Sequence, residues 1–223
     1  MRNCPVCNSA HRRMIMEHYN SDSWTAYRCA CGMVYLDAHA MSEERLNEYY
    51  RKTYTSDDGP VADARLDSLA RFVAENCQSP VLDIGGTDMK LAGRLTGMTV
   101  DASGPGDKLP KKYQTIVLSH TLEHVYNMRG MLETISAHLE PGGKVVVEVP
   151  IWGNQKDLTA YDYHLQHCNK FTPEKLRELF ENYGFEVTLS EPLPFYIEYQ
   201  CWRLVAQPHR WGVKKNDFTW PAT

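Results

Sequence analysis

Between residues 80 and 150 the chain sets three short apolar runs against turns rich in glycine, acid and histidine, and few folds satisfy that order. Val81-Leu82-Asp83-Ile84 is an apolar run interrupted by an acid. Gly85-Gly86-Thr87-Asp88 then turns the chain toward a predicted short helix over Met89 to Leu95. A strand, a glycine turn and a helix N-terminus in that order present backbone N–H groups to a ligand. Met98-Thr99-Val100-Asp101 reads as a second strand ending in an acid, 18 positions after Asp83. That is close to the roughly 20-residue spacing at which a carboxylate takes ribose hydroxyls. Ile116-Val117-Leu118-Ser119 is a third strand and runs into His120-Thr121-Leu122-Glu123-His124. After a helix, Leu139-Glu140-Pro141-Gly142-Gly143 leads into a strand over Lys144 to Pro150. The alternation predicts an α/β fold of the dinucleotide-binding type, with ligands at the C-terminal ends of its strands.

The series VLDIGG, VDAS, IVLSHTLEHV and LEPGGKVVVEVP resembles the class I S-adenosylmethionine (SAM)-dependent methyltransferases. More narrowly, it resembles the branch with an amino-terminal zinc module that includes sugar C-methyltransferases, over roughly residues 4 to 190. The resemblance implies a Rossmann-like class I methyltransferase sheet with an N-terminal zinc-ribbon module. It also implies SAM as cofactor, held by Asp83, Gly85, Gly86, Thr87, Asp101, Ala102, Ser119 and His120. The general pattern of that family places glycines at positions that are Gly85, Thr87 and Met89 here. A branch with Gly-Ser-Asn-Asp-Gly in this loop fits better, with Gly86, Thr87 and Asp88 in its middle and Met89 in place of its last glycine. Glycine there permits close backbone approach or a positive φ, so accommodating Met89 calls for a rearranged turn with its side chain in the core.

Only 11 residues, Ala102 to Lys112, separate Asp101 from Tyr113, where the family fits a helix and another strand. The third strand of the family's sheet is therefore expected to be missing. It is an edge strand, so its loss exposes a new edge without breaking the core. Ser103, Asp107, Lys108 and Leu109 are the residues available to replace the adenine-side wall.

Near the start, Cys4-Pro5-Val6-Cys7 is followed after 21 residues by Cys29-Ala30-Cys31-Gly32. Two knuckles of this kind close a tetrahedral four-sulfur zinc site. The second is one residue tighter than usual, which leaves His11 or His18 as a substitute for one of Cys4, Cys7, Cys29 and Cys31. A segment this small has almost no core of its own, and metal binding supplies on the order of 10 kcal/mol of folding energy. Seven cysteines with four in close pairs suit a metal site in a reducing cytoplasm better than disulfides.

The expected organisation is a zinc-ribbon module over 1–36, a helical linker or cofactor lid over 37–79, the methyltransferase domain over 80–206 and a tail over 207–223. In the linker, Ser42 caps a helix that aligns Leu46, Tyr49, Tyr50 and Tyr54, and Val61 to Asn76 aligns Leu66, Leu69, Ala70 and Val73. Thr172 caps a helix with Pro173 at its first position and Leu176, Leu179, Phe180 and Tyr183 on its apolar face, ended by Gly184. A last hairpin is expected over Phe185 to Ser190 and about Ile197 to Ala206. The aromatic tail, with Trp211, Phe218 and Trp220, is expected to pack back on the body.

A net charge of −4, from 24 basic and 28 acidic residues, argues against a non-specific nucleic-acid binder. No leader pattern or apolar run near 18 residues argues for secretion or membrane spanning, so the expected location is the cytoplasm. The expected partner is a small molecule, with neither nucleic acid nor membrane.

Methyl transfer from a sulfonium requires an acceptor that loses a proton, and imidazole titrates near neutral pH. His120, Glu123 and His124 stand at the end of the third strand and would share a face in helical spacing. His164 and His167 follow the strand ending at Pro150. In the sugar C-methyltransferases a Glu-His-x-x-Tyr-Phe-Ser segment occupies this place. Here it reads Gln166-His167-Cys168-Asn169-Lys170-Phe171-Thr172, keeping the His and the Phe. His167, His120 and His124 are the catalytic candidates, with His167 as the leading base. The expected function is SAM-dependent methylation of a small polar metabolite, most plausibly a nucleotide-linked sugar or saccharide intermediate. The alternatives are a non-catalytic methyltransferase-like binding protein and a metal-dependent O-methyltransferase using the histidine cluster.

Overall fold

The computed structural model describes residues 2–16, 24–38, 59–86, 88–104, 107–152, 167–194 and 200–209. The expected helix over Leu46 to Tyr54, the tail aromatics, Thr87, His18 and His164 lie outside these residues.

Two sheets organise the chain. The amino-terminal sheet is antiparallel, with strands β1 (Arg12–Met16), β2 (Trp24–Cys29) and β3 (Val34–Ala38) in sequence order. Its fourth strand comes from far along the chain: β8 (Asn169–Lys170) pairs with β3 through Val34↔Lys170 and Tyr35↔Asn169. The predicted 1–36 module therefore shares its sheet with the segment that follows His167. Three strands offer one thin apolar face, and Val6, Met33 and Tyr35 complete it by packing in the same core as Leu118, Phe171 and Phe180.

The larger sheet has β4 (Val81–Ile84), β5 (Val100–Ser103), β6 (Tyr113–Ser119), β7 (Leu139–Ile151), β9 (Phe185–Leu193) and β10 (Gln200–Pro208), in the order β5-β4-β6-β7-β10-β9. The first four are parallel and β10 is antiparallel to both neighbours. No strand lies outside β5 among the described residues, as the short Ala102 to Lys112 segment led us to expect. Both faces are covered, which explains the unbroken apolar runs of β4, β6 and β7. Helix α1 (Pro60–Asn76) buries Leu66, Leu69 and Val73 against Val81, Val117 and Val146 on one face. Helices α2 (Met128–His138) and α3 (Pro173–Asn182) cover the other, with Leu132, Ile135, Leu176 and Phe180. Thr172 caps α3 by accepting from the Lys175 backbone N–H at 3.2 Å. Among the described residues no helix is long and apolar enough to cross a membrane.

Two expectations about elements are corrected. The helix over Met89 to Leu95 is a series of turns with one 3-10 turn at Ala92–Arg94. Seven residues after a glycine turn, ended by Thr96-Gly97, are too few to nucleate more. The second strand spans Val100–Ser103 rather than Met98 to Asp101, because its pairing starts at Val81↔Val100 and the Gly85 N–H donates to the Ser103 carbonyl at 2.8 Å. Asp101 is thus the second residue of its strand, not the last.

Candidate active site

The C-terminal ends of β4, β5 and β6 meet at the glycine turn. Gly85 has φ +98°, and a Cβ there would overlap the Thr121 hydroxyl; one on Gly86 would overlap the Asp83 carboxylate. Both glycines are therefore demanded by the turn's own packing against Thr121 and Asp83, and Gly85 also by its positive φ. Thr121 holds it from the other side, its hydroxyl donating to the Ile84 carbonyl at 2.9 Å. Met89 adopts φ 59°, the left-handed conformation for which the family uses glycine, and its side chain is 48% exposed rather than in the core. The backbone of the loop is kept at a cost of roughly 1 to 2 kcal/mol for a residue with a Cβ.

An open cleft of about 810 Å³ lies along β5, lined by Met89, Ala102 and Tyr113 together with Ser103, Asp107, Lys108 and Leu109. The last four are the residues expected to replace the missing wall. Asp101 also lines it and is already engaged: Lys111 Nζ lies 2.8 Å and the Tyr113 hydroxyl 2.9 Å from its Oδ2. These contacts, Lys111 first, hold the carboxyl below the usual carboxylate range. Asp83 is 3% exposed, and burial, reinforced by Asp88 and opposed by Arg65, pushes it up to about 7.

Beyond β6 the chain makes an abrupt turn. His120 has φ 50° and donates its N–H to the Glu148 carbonyl at 2.8 Å, and Leu122–His124 form a 3-10 turn. His120, Glu123 and His124 do come together, but not on a helix face, because α2 begins only at Met128. Glu123 is fully buried, with His120 Nδ1 and His124 Nε2 each 3.8 Å from its Oε1. Neither carboxylate oxygen of Glu123 has a hydrogen-bond partner among the described residues. Burial is the main force pushing Glu123 up to about 8. His167 joins from the far end of the chain, its ring packed edge-on to His124 with centroids 4.8 Å apart. The other imidazole nitrogen of His120 lies 3.3 Å from Cys201 Sγ on β10. Burial, then the charges of Arg65 and His124, push His120 well below the ordinary imidazole range.

Several residues of the site were not read from the sequence. Arg65 on α1 donates to Ser119 Oγ at 2.5 Å and to Glu148 Oε2 at 3.2 Å, while Arg203 on β10 makes two contacts to Glu148 Oε1 at 2.9 and 2.6 Å. The signal for Arg65 was its place three residues after Ala62 and four before Leu69, on the buried face of its own helix. Glu148 lies inside the apolar run of β7, where a buried acid demands partners, but nothing local names them. Asn169 is the fourth: its amide donates to the carbonyls of Leu122 (3.1 Å) and Val125 (2.8 Å), and so holds the turn that carries Glu123 and His124.

At the other end of the chain the four cysteines converge. Cys4 and Cys31 Sγ are 3.7 Å apart, Cys7 and Cys29 Sγ 3.5 Å, and all four lie within 4.8 Å of one another. A tetrahedron of Zn–S bonds near 2.3 Å has S···S edges of about 3.8 Å, so the donor set fits that ion. The exposed His11 instead offers its backbone carbonyl to the Ala30 N–H at 3.1 Å and is not in the group. The hydrogen bond between Cys4 and Cys31 pulls Cys31 down to about 5 and holds Cys4 protonated. Arg2 ties this module to the site, donating to the Cys168 carbonyl at 2.7 Å and to Asn169 Oδ1 at 3.1 Å.

A family profile described as a methyltransferase domain matches residues 37–190. Among curated proteins none matches the chain. Among solved structures, the 1,6-didemethyltoxoflavin-N1-methyltransferase of Burkholderia thailandensis, with its substrate and S-adenosylhomocysteine bound, is similar over 90% of this chain and 100% of its own, at 15% identity and TM-score 0.61. The mitomycin 7-O-methyltransferase MmcR aligns with 75% of this chain and 61% of its own, at 14% identity and TM-score 0.54. An O-methyltransferase family protein of Burkholderia thailandensis aligns with 67% of this chain and 56% of its own, at 11% identity and TM-score 0.51. At these identities the likeness is one of fold.

Proposed function

We infer the function from the premise that this chain belongs to the methyltransferase-domain family and is a SAM-dependent methyltransferase. The proposed reaction is methylation of a small polar metabolite, with nucleotide-linked sugars or other saccharide intermediates as the favoured class. The observation that carries it is the abutment of two features: the glycine turn Gly85-Gly86, closed over the Asp83 and Thr121 side chains at the end of β4, and the histidine cluster just beyond Ser119. SAM, when bound, supplies a methyl group activated by a sulfonium. Gly85, Gly86 and Ala102 are proposed to line its place, and Asp83 to offer a carboxylate to its ammonium group. Asp101 is proposed to hold the ribose, and Ser119 and His120 to face the methyl.

The chain's own part in the chemistry is orientation and proton removal. Arg65 fixes the Ser119 hydroxyl, and the contact of Glu148 with both Arg65 and Arg203 fixes Arg65 in turn. His120, unprotonated at neutral pH because its pKa is depressed, stands with His124 and His167 where an acceptor's proton must go. The four cysteines are proposed to hold one zinc ion, which would supply folding energy to the amino-terminal sheet. The expected location is the cytoplasm.

Calorimetry with S-adenosylhomocysteine is the first test, and the protein should bind it. Transfer of labelled methyl from SAM to a panel of nucleotide-linked sugars is the second. His120→Asn and His167→Asn should lower that transfer by roughly 10² to 10⁴, the contribution of a positioned general base, while keeping S-adenosylhomocysteine affinity. Failure to bind that ligand would overturn the reading.

A further inference from the structure

We propose that Glu123, His124 and His167 bind a divalent transition-metal ion at the acceptor end of the site, distinct from the four-cysteine cluster. The inference rests on the reading above that this cluster faces the acceptor. A carboxylate oxygen and one nitrogen from each imidazole lie within 4.8 Å of one another. Binding would require them to close by about an ångström or more, since ligands at bonds near 2.1 Å stand roughly 3 to 3.5 Å apart. Two of the ligands come from the 3-10 turn, and the third, His167, stands two residues before β8.

The second observation is the state of Glu123. A fully buried carboxylate whose two oxygens have no hydrogen-bond partner is costly unless something neutralises it. The candidates are a proton and a cation. Lys170 and Arg65 also act on Glu123 electrostatically; they favour its ionised form but weaken the attraction for a further positive charge. A proton leaves an acid O–H whose nearest ring nitrogens, on His120 and His124, stand 3.8 Å from Oε1, beyond hydrogen-bond reach. A cation uses the carboxylate and two imidazoles together.

Two imidazoles and one carboxylate suit zinc, manganese, cobalt or ferrous iron, and are poor for magnesium or calcium, which take oxygen ligands. Three protein ligands on one side leave open positions for two oxygens of an acceptor, such as neighbouring hydroxyls or a hydroxyl beside a keto group. With His124 and His167 on the ion, His120 is left to take the proton, and the loss of transfer expected of His167→Asn then comes from loss of the metal rather than of the base.

The test uses the full chain with zinc retained in the cysteine module and cobalt(II) as the probe. Wild type should take up one equivalent of cobalt, read as d–d absorption without the thiolate charge-transfer band of a sulfur site. Glu123→Gln and His167→Asn should each weaken uptake about tenfold or more, and the half-buried His167 is the variant expected to keep the fold. S-adenosylhomocysteine affinity is measured on the same samples. Cobalt uptake lost in His167→Asn, with ligand binding and thermal unfolding unchanged, supports the site. No uptake by wild type, or uptake that both variants keep, overturns it. Wild type that binds S-adenosylhomocysteine but no cobalt sinks the metal alone, whereas failure to bind S-adenosylhomocysteine sinks the reading beneath it.

Discussion

The four cysteines and the Glu123, His124 and His167 group are built on opposite plans. Each cysteine pair lies within one tight turn, so the residue spacing prepares half of the cluster before the chain folds. The second group needs a left-handed residue, a 3-10 turn and a strand from more than 40 positions away, because His124 and His167 meet only across the fold. The first sits on a thin antiparallel sheet whose apolar face is completed by the core of the large sheet. The second is enclosed between the large sheet and β8. A locally organised site is easy to recognise and depends on its ion for stability; a globally organised one is hard to recognise and depends on the rest of the protein. The two are also joined, since β8 pairs with β3 and Asn169 contacts both Arg2 and the turn holding Glu123.

The largest effect expected from this contrast is at the cysteines. Cys29→Ser should abolish zinc retention and cost several of the roughly 10 kcal/mol that a structural zinc contributes, measured by elemental analysis and thermal unfolding. The damage should spread through β3 to β8 and reduce S-adenosylhomocysteine affinity as well. Full zinc content with an unchanged melting temperature would break the contrast.

Asn169→Ala probes the joint. Removing the amide leaves the Val125 carbonyl without that donor, while the Leu122 carbonyl still accepts from the Val125 N–H, at roughly 1 to 3 kcal/mol. Zinc content should be unchanged, while turnover falls as the Glu123 turn loosens. Equal loss of zinc and activity would show the two regions to be one cooperative unit instead.

A smaller effect is expected from Asp83. With its pKa near 7 in the free protein, the acid is protonated below that pH, and a cationic ligand group must displace the proton. Affinity for S-adenosylhomocysteine should therefore fall about tenfold, or 1.36 kcal/mol, for each pH unit below about 7, and level off above it. Calorimetry across that range tests the sign, and Asp83→Asn should flatten the curve. A slope that survives in Asp83→Asn would assign the titration elsewhere.

The smallest is at the glycine turn. Met89→Gly relieves a left-handed residue but frees the unfolded chain, so stability should rise by less than about 1 kcal/mol. A destabilisation larger than that in thermal unfolding would mean that the exposed Met89 side chain does more than tolerate its conformation.

What the residues determined alone was whatever is encoded over a few positions: the strand and glycine turn at Val81 to Gly86, the Thr172 cap, the two cysteine knuckles, and the lost edge strand inferred from a count of residues. Met89 was legible as an anomaly, but its φ and exposure were not, since the same substitution is compatible with a buried or an outward side chain. The helix expected over Met89 to Leu95 failed because the stretch between the glycine turn and Gly97, opened by a left-handed Met89, is too short to nucleate more than a 3-10 turn. Arg65, Glu148, Arg203 and Asn169 escaped for a common reason. Each is a polar residue whose partner lies more than 40 positions away, and burial makes that partner obligatory without saying which it is. Only the tertiary packing, which brings α1, β7, β10 and β8 around the end of β6, chose among them.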